Sequence, residues 1–266
     1  MKKRLLITND DGIFAEGIQT LSQELFEQLG ENLDLYIIAP DHEQSATSHA
    51  ITMHRPLRVE EVRYFHNPRL KCWSVNGTPS DCVKLAVEYL LDEKPDLIVS
   101  GINRGSNLGT DVLYSGTFSA AAEGVMLGIP ALAVSHTEVK NPGFACAAQF
   151  VCNLIPKLWQ NHISNNTLLN INVPSEVNGG IQGVEVTRLG SRRYRNTFQK
   201  RVDPRGRNYY WLAGELDDLY EEGSDVNAVK NHKVSITPVH FDITDYSLIE
   251  QLKLILDNEM LENLKK

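Results

Sequence analysis

Hydrophobic and polar positions along this chain follow two periods in turn. Residues 4–8 (RLLIT) form a short apolar run that stops at Asn9-Asp10-Asp11-Gly12, which predicts a buried strand ending in a loop. Ile18, Leu21, Leu25, Phe26 and Leu29 then recur at helical spacing, predicting a helix over 16–29 that Gly30 can end. Residues 33–39 (LDLYIIA) predict a second strand, broken by Pro40-Asp41. A strand, a helix and a strand in so short a stretch make a βαβ unit, which implies parallel pairing. The alternation returns downstream with helix 80–92 opening at Ser80, strand 96–100 (DLIVS) and a helix from about Ser119 to Leu127. Strand 131–135 (ALAVS), helix 144–160 and strand 168–173, closed by Pro174, follow. The predicted fold class is α/β, a Rossmann-like doubly wound sheet that is mainly parallel.

The pattern changes near residue 180. Residues 181–215 alternate (GVEVTRL, NYYWLAG) around a polar middle, SRRYRNTFQKRVDPRGR, and predict an antiparallel hairpin with a long, basic, exposed arm. Residues 216–228 are acidic and loop-like. Strand 233–238 and a terminal helix over 246–264 complete the chain, and weak alternation over 54–75 predicts a smaller hairpin. Two parts are therefore expected: a core over 1–180 for metal and phosphate, and 181–266 as arm, closing strand and terminal helix, suited to oligomerisation.

Composition narrows the partners. The 266 residues carry a formal charge of -8. An acidic balance argues against a stable nucleic-acid complex or binding to an anionic membrane, since both need surplus Lys and Arg. No window approaches the ~20 apolar residues of a membrane helix. The basic start MKKR is followed by only three apolar residues before Asn9-Asp10-Asp11, too short for an export signal. Cys72, Cys82, Cys146 and Cys152 form no CxxC pair and predict buried free thiols, which suits a reducing cytoplasm.

In an open parallel sheet, ligands bind beyond the carboxyl ends of the strands. Asn9 to Gly12 follow the first predicted strand, Asp41, Glu43, Gln44 and Ser45 the second, Gly101 to Asn107 the third, and His136-Thr137 the fourth. Three oxygen-rich loops thus converge on one edge. Asp10 and Asp11 are adjacent carboxylates that repel unless a cation sits against them, and oxygen donors suit hard divalent ions. The same Asn-Asp-Asp-Gly also serves as a turn, with an Asp capping the next helix. Ser45 and Asn103 are neutral donors that become plausible ligands only beside the Asp pair. Ser115, Gly116 and Thr117 precede a helix and suit a phosphate, although a hydroxyl there also serves as an ordinary N-cap. His49, His54 and His136 are acid–base candidates among which no pattern selects. Neither GxGxxG nor GxxxxGK[ST] is present, which argues against a nucleotide-dependent oxidoreductase or transferase on this sheet. A non-catalytic metal sensor stays open as an alternative.

The segments LLITNDDGIFAEGI (5–18), IAPDHEQSATSHAIT (38–52), VNGTPSDCVKLA (75–86), DLIVSGINRGSNLGTDVLYSGTFSAAAEG (96–124) and LNINVP (169–174) resemble the SurE family of acid-phosphatase-like 5'-nucleotidases. TRLGSRRYRN (187–196) and VSITPVH (234–240) match as well, so the resemblance covers nearly the whole chain. It implies a metal-dependent phosphomonoesterase acting on nucleoside 5'-monophosphates, and on 3'-monophosphates also. It implies one divalent cation per subunit, Mg²⁺ or Mn²⁺, held by Asp10, Asp11, Ser45 and Asn103. Asp10, Asp11 and Asn9 are the expected catalytic residues, and Asn9 with Ser115, Gly116 and Thr117 falls where the family holds the phosphate. Asn103 and Arg104 are expected to add phosphate contacts, Arg104 alternatively standing in a surface salt bridge. A homodimer or homotetramer is implied, with the 190–210 stretch reaching a neighbouring subunit. One departure is Glu16, where the family motif often has Pro; it touches no implied ligand. For the chemical step, attack by water is favoured over attack by an Asp, because both aspartates are committed to the cation.

Overall fold

In the first strand, β1 (Lys3–Thr8), Leu5 and Ile7 pack into one hydrophobic cluster and Leu6 into another. Successive side chains of a strand point to opposite faces, so a continuous apolar run is a strand covered on both sides. The same split recurs at Leu97 and Val99 against Ile98, and at Leu132 and Val134 against Ala131 and Ala133. The computed structural model describes residues 2–63, 70–140, 142–175 and 180–256. Its remaining strands are β2 (Leu33–Pro40), β3 (Val59–Glu61), β4 (Lys71–Val75), β5 (Leu97–Arg104), β6 (Ala131–His136), β7 (Leu168–Val173), β8 (Val184–Val186), β9 (Tyr194–Arg195), β10 (Phe198–Val202), β11 (Asn208–Leu212), β12 (Glu215–Leu216) and β13 (Val234–Val239). The helices are α1 (Glu16–Leu29), α2 (Pro79–Leu85), α3 (Gly116–Met126), α4 (Phe144–Gln160), α5 (Asp225–Lys230) and α6 (Tyr246–Ile255).

Nine strands form one sheet in the order β3-β4-β2-β1-β5-β6-β7-β13-β8. Pairing is parallel from β4 through β7 and antiparallel at β3–β4 and β7–β13. Helices α1 and α4 pack together on one face, and α2 and α3 on the other. The chain winds outward from β1 to β2 and β4, then returns to β5 on the opposite side of β1. The topological switch point therefore lies between β1 and β5, where a doubly wound sheet opens its binding crevice.

The predicted α/β fold is observed, with several differences of detail. The segment Gly101-Ile102-Asn103-Arg104, predicted as loop, is the end of β5. Gly101 at φ 142° and a register irregularity between Ser100 and Asn103 let the strand continue, so that Asn103 pairs with Ser135 and Arg104 with His136. Helix 80–92 is a shorter α2 running into a π turn at Ala86–Leu90, with Leu91 N–H donating to Ala86 O. The capping residue of α2 is Thr78, not Ser80. Helix α3 begins at Gly116, three residues before the predicted start, because Ser115 caps it.

GVEV, predicted as part of the arm, instead enters the main sheet as β8, parallel to β13. The arm hairpin is β10–β11, with β9 and β12 paired at its base. The stretch 216–228, predicted as loop, ends inside α5 (Asp225–Lys230), where Ser224 accepts from Asn227 N–H as the cap. The small hairpin is present as β3–β4, although residues 64–69 lie outside the described residues. Of the terminal helix 246–264, the part from 257 on lies outside them too, and α6 buries none of its residues.

Candidate active site

The loop after β1 is built by Asn9. Its amide donates to Gly12 O at 2.9 Å and its Oδ1 accepts from Gly12 N–H at 3.2 Å, closing the turn. Gly12 sits at φ 103°, a left-handed conformation that disfavours any side chain. Asn9 is fully buried and both ends of its amide are used on the turn. It shapes the loop and is not among the residues lining the cavity described below.

The turn splays the two carboxylates. Asp10 Oδ1 accepts from Thr117 Oγ at 2.5 Å, on the first turn of α3. Asp11 Oδ2 accepts from the backbone N–H of Arg104 on β5 at 3.1 Å. Helix α3 can approach this closely because its first residue is Gly116: a Cβ there would stand 2.8 Å from Asp10 Cβ. The loop after β2 is tied to the first by Gln44 N–H donating to Asp10 O at 2.7 Å, and Ile13 N–H reaches back to Pro40 O at 2.8 Å. Three loops are thereby held at the switch point.

Asp10 is buried, and its carboxyl is pushed up to about 6. Loss of hydration is the main cause; the Thr117 hydrogen bond opposes it and the neighbouring Asp11 charge adds to it. Asp11 is also raised, first by burial and then by the charge of Glu43, against the Arg104 N–H that stabilises its anion. Two adjacent carboxylates that resist ionisation are what a divalent cation relieves. The donor set fits such an ion. Asn103 Nδ2 donates to Gly105 O at 2.8 Å, which turns its carbonyl oxygen the other way, and Ser45 Oγ, bonded to Glu43 at 2.6 Å, is exposed. Among the described residues no three His, Cys, Asp or Glu side chains form a metal cluster. The ion would therefore rest on two carboxylates and neutral oxygens, a hard set suited to Mg²⁺ or Mn²⁺.

A cavity of about 710 Å³ opens here, lined by Asp10, Ser45, Asn103, Arg104 and Ser115. Asp11, Gly116 and Thr117 are not among its lining residues; they hold or admit Asp10 and β5 as described. Ser115 Oγ accepts from Phe118 N–H at 3.1 Å as the helix cap. None of His49, His54 and His136 is in the lining. His136 is buried, with Nδ1 3.2 Å from Glu138 N and its ring edge-on to Phe144, and His49 bonds Glu123.

The sequence reading missed residues of the cavity that come from the arm: Tyr194, Thr197, Leu212 and Gly214, together with Asp111 and Tyr114. The stretch SRRYRN, expected to be exposed, contains an Arg192 side chain only 10% accessible. Its guanidinium bridges Asp218 at 3.2 Å, Asp111 at 3.2 Å and Ser106 at 3.2 Å, and Tyr194 donates its hydroxyl to Asp111. Burial, then Asp111, pushes the Tyr194 hydroxyl up to about 12. Asp225 ties the same region together: it accepts from Gly109, Gly190 and Val226 N–H, each at 2.8 Å. A fully buried Asp and a buried Arg in polar sequence carry no local signature, so periodicity could not find them.

A doubly wound sheet with paired carboxylates, neutral oxygen donors and a helix N-terminus gathered at its switch point defines a Rossmann-like α/β protein with a polar cleft at that edge. The chain belongs to the SurE family. The family model described as "Survival protein SurE" matches residues 5–196. The chain is similar to the 5'-nucleotidase SurE of Pelotomaculum thermopropionicum, 54% identical over 98% of each chain. It is 53% identical to the 5'-nucleotidase SurE of Heliobacterium modesticaldum, over 94% of this chain and 90% of that one. The crystal structure of the SurE protein from Aquifex aeolicus superposes with a TM-score of 0.81 at 38% identity, covering 96% of this chain and all of that one.

Proposed function

We propose that this protein hydrolyses nucleoside 5'-monophosphates, and 3'-monophosphates as well, to nucleoside and phosphate, with one divalent cation, Mg²⁺ or Mn²⁺, per subunit. The observation that carries this reading is the pair of buried Asp10 and adjacent Asp11 at the switch point, one held by the Thr117 hydroxyl and the other by the Arg104 N–H. A cavity of about 710 Å³ adjoins it, within the ~300–1,000 Å³ of small-ligand sites. The names of the relatives point to the same reaction class.

Asp10, Asp11, Ser45 and Asn103 hold the cation. Bound there, it supplies charge to offset the phosphate dianion and Lewis acidity toward phosphorus. The chain itself positions the substrate. Arg104 adds a cationic contact from the cavity wall, and Ser115 with the first N–H groups of α3 faces the phosphoryl oxygens. Thr117 holds Asp10, and the Arg104 N–H holds Asp11, in their ionised orientations. With both aspartates so engaged, a water is the attacking group; a radiolabelled acyl-phosphate trapped on Asp10 or Asp11 would overturn that step. The apolar part of the lining, Tyr114, Tyr194 and Leu212, suits the nucleoside.

The 1–180 part carries the ligands, and 181–266 serves assembly into a homodimer or homotetramer. Register places Phe198, Leu212, Tyr210 and Val202 on one side of the arm hairpin, all exposed, and α6 exposes Tyr246, Leu248, Leu252 and Ile255. Apolar surface of this kind marks an interface. No helix among the described residues is long and apolar enough to cross a membrane. The cytoplasm, with no stable nucleic-acid complex, remains the expected setting.

The deciding assay follows phosphate release from a panel of nucleoside 5'- and 3'-monophosphates in Mg²⁺, Mn²⁺ and EDTA. Release that stops in EDTA and returns with metal supports the reading. Inert protein, or release indifferent to chelator, refutes it.

A further inference from the structure

The loop from Asp41 to Arg58 is irregular and carries Ser45. Two of its non-glycine residues, Ala46 (φ 56°) and Ser48 (φ 53°), occupy the left-handed region, which costs of order 1 kcal/mol each and persists only where surrounding contacts impose it. Those contacts are specific. Ser48 donates its N–H to Tyr114 O at 3.0 Å and its hydroxyl to Leu113 O at 2.7 Å. Thr52 N–H reaches Asp81 at 2.9 Å. Between them, His49 Nε2 lies 2.9 Å from Glu123 Oε2.

Glu123 has no apolar reason to be where it is. It sits on α3 among Ala120, Ala121, Ala122 and Val125, and only 4% of it is accessible. Its partners are His49 and, through the other oxygen, Lys84 at 3.2 Å. A buried carboxylate is tolerated only when paired and hydrogen-bonded. The helix that carries it is the helix whose first turn holds Asp10 through Thr117.

We propose that Glu123 is a positioning residue: through His49 it latches the Ser45 loop onto α3, fixing Ser45 relative to Asp10 so that both face one cation. This rests on the reading of Ser45 and Asp10 as metal ligands. Residues that orient ligands in this way typically change metal affinity by about 10- to 100-fold when removed.

The test measures Mn²⁺ binding by electron paramagnetic resonance for the full chain and its His49→Ala, Ser45→Ala and double variants. In His49→Ala the buried Glu123 carboxylate keeps Lys84 at 3.2 Å as its cationic partner, so the helix retains a paired charge. His49→Ala is expected to weaken Mn²⁺ at least about 10-fold, with kcat at saturating Mn²⁺ and the melting temperature in EDTA near those of the parent. In the Ser45→Ala background the same change is expected to add nothing. Glu123→Gln, whose amide oxygen still accepts from the His49 ring N–H, is expected to restore most of the affinity that Glu123→Ala loses. If Ser45→Ala leaves Mn²⁺ affinity unchanged, the ligand reading of Ser45 has failed. If Ser45→Ala weakens binding but His49→Ala does not, the latch is overturned. Equal losses from His49→Ala with and without Ser45 overturn it too, since the effect would bypass Ser45.

Discussion

Thr117 donates its hydroxyl to Asp10 Oδ1 across 107 residues of sequence, joining the end of β1 to the start of α3. That bond orients the more deeply buried of two adjacent carboxylates. It also offsets part of the burial that pushes Asp10 up to about 6. A good hydrogen bond to the anion and a strong environment against it coexist, and the balance leaves a carboxylate that gains from a cation.

Metal-free stability should fall with pH through this group. The folded carboxyl releases its proton near 6, the unfolded one near 3.8. Between those values the folded chain holds a proton that the unfolded chain has lost, so stability decreases as pH rises through the window, by up to about 3 kcal/mol. Asp10→Asn removes that loss. In EDTA the variant is expected to be more stable than the parent at pH 7.5 and nearly equal at pH 4, read by urea denaturation. Its phosphatase activity at saturating metal is expected to drop on the order of 100-fold or more. Wild-type turnover would contradict the assignment.

Mn²⁺ itself should reverse the pH effect in the parent. A ligand that binds only the folded state stabilises it by about 2.7 kcal/mol at 100 times its Kd. The melting temperature at pH 7.5 is therefore expected to rise with Mn²⁺ in the parent and to stay flat in Asp10→Asn.

Gly116→Ala tests the close approach of α3. The added methyl would meet Asp10 Cβ at 2.8 Å and Pro79 Cγ at 3.2 Å, so helix and loop must separate. Overpacking of this kind costs about 1–3 kcal/mol. The expected outcome is a folded protein with weaker Mn²⁺ binding by calorimetry; unchanged affinity would show that the approach is not needed.

Arg192→Met probes the arm as a wall of the cavity. It leaves Asp218 (6% accessible) and Asp111 without their cation, and breaking a buried ion pair costs about 3–5 kcal/mol. The Michaelis constant for nucleoside monophosphates is expected to rise several-fold more than that for p-nitrophenyl phosphate, which has no nucleoside to hold against Tyr194 and Leu212. Parallel increases would place the effect elsewhere.

Phe198→Glu, at a residue of the arm hairpin 65% accessible, should lower the assembly state. Light scattering is expected to report a smaller species with an unchanged circular-dichroism spectrum. An unaltered mass would remove the arm from the interface.

Much was legible in one dimension. The runs RLLIT and DLIVS announced strands covered on both faces, and Asn9 to Gly12 and Ser45 announced oxygen-rich loops at strand ends. The start of α3 was misplaced because a capping hydroxyl at Ser115 and one at Ser119 look alike until an N–H is seen to reach one of them. GVEV alternates like an arm strand, yet β13 was available as a neighbour and drew it into the sheet.

Periodicity and turn chemistry are local, so the chain by itself determined the elements, their order and the loops in which the acidic and hydroxyl groups would stand. Which loops meet depends on the order of strands, and that is decided by packing two faces at once. Only the tertiary structure put β5 beside β1, so that Arg104 N–H meets Asp11, Thr117 meets Asp10 and Arg192 docks the arm against Asp111. Each of those contacts joins residues far apart in sequence, where burial and geometry set the pairing and no spacing rule reaches.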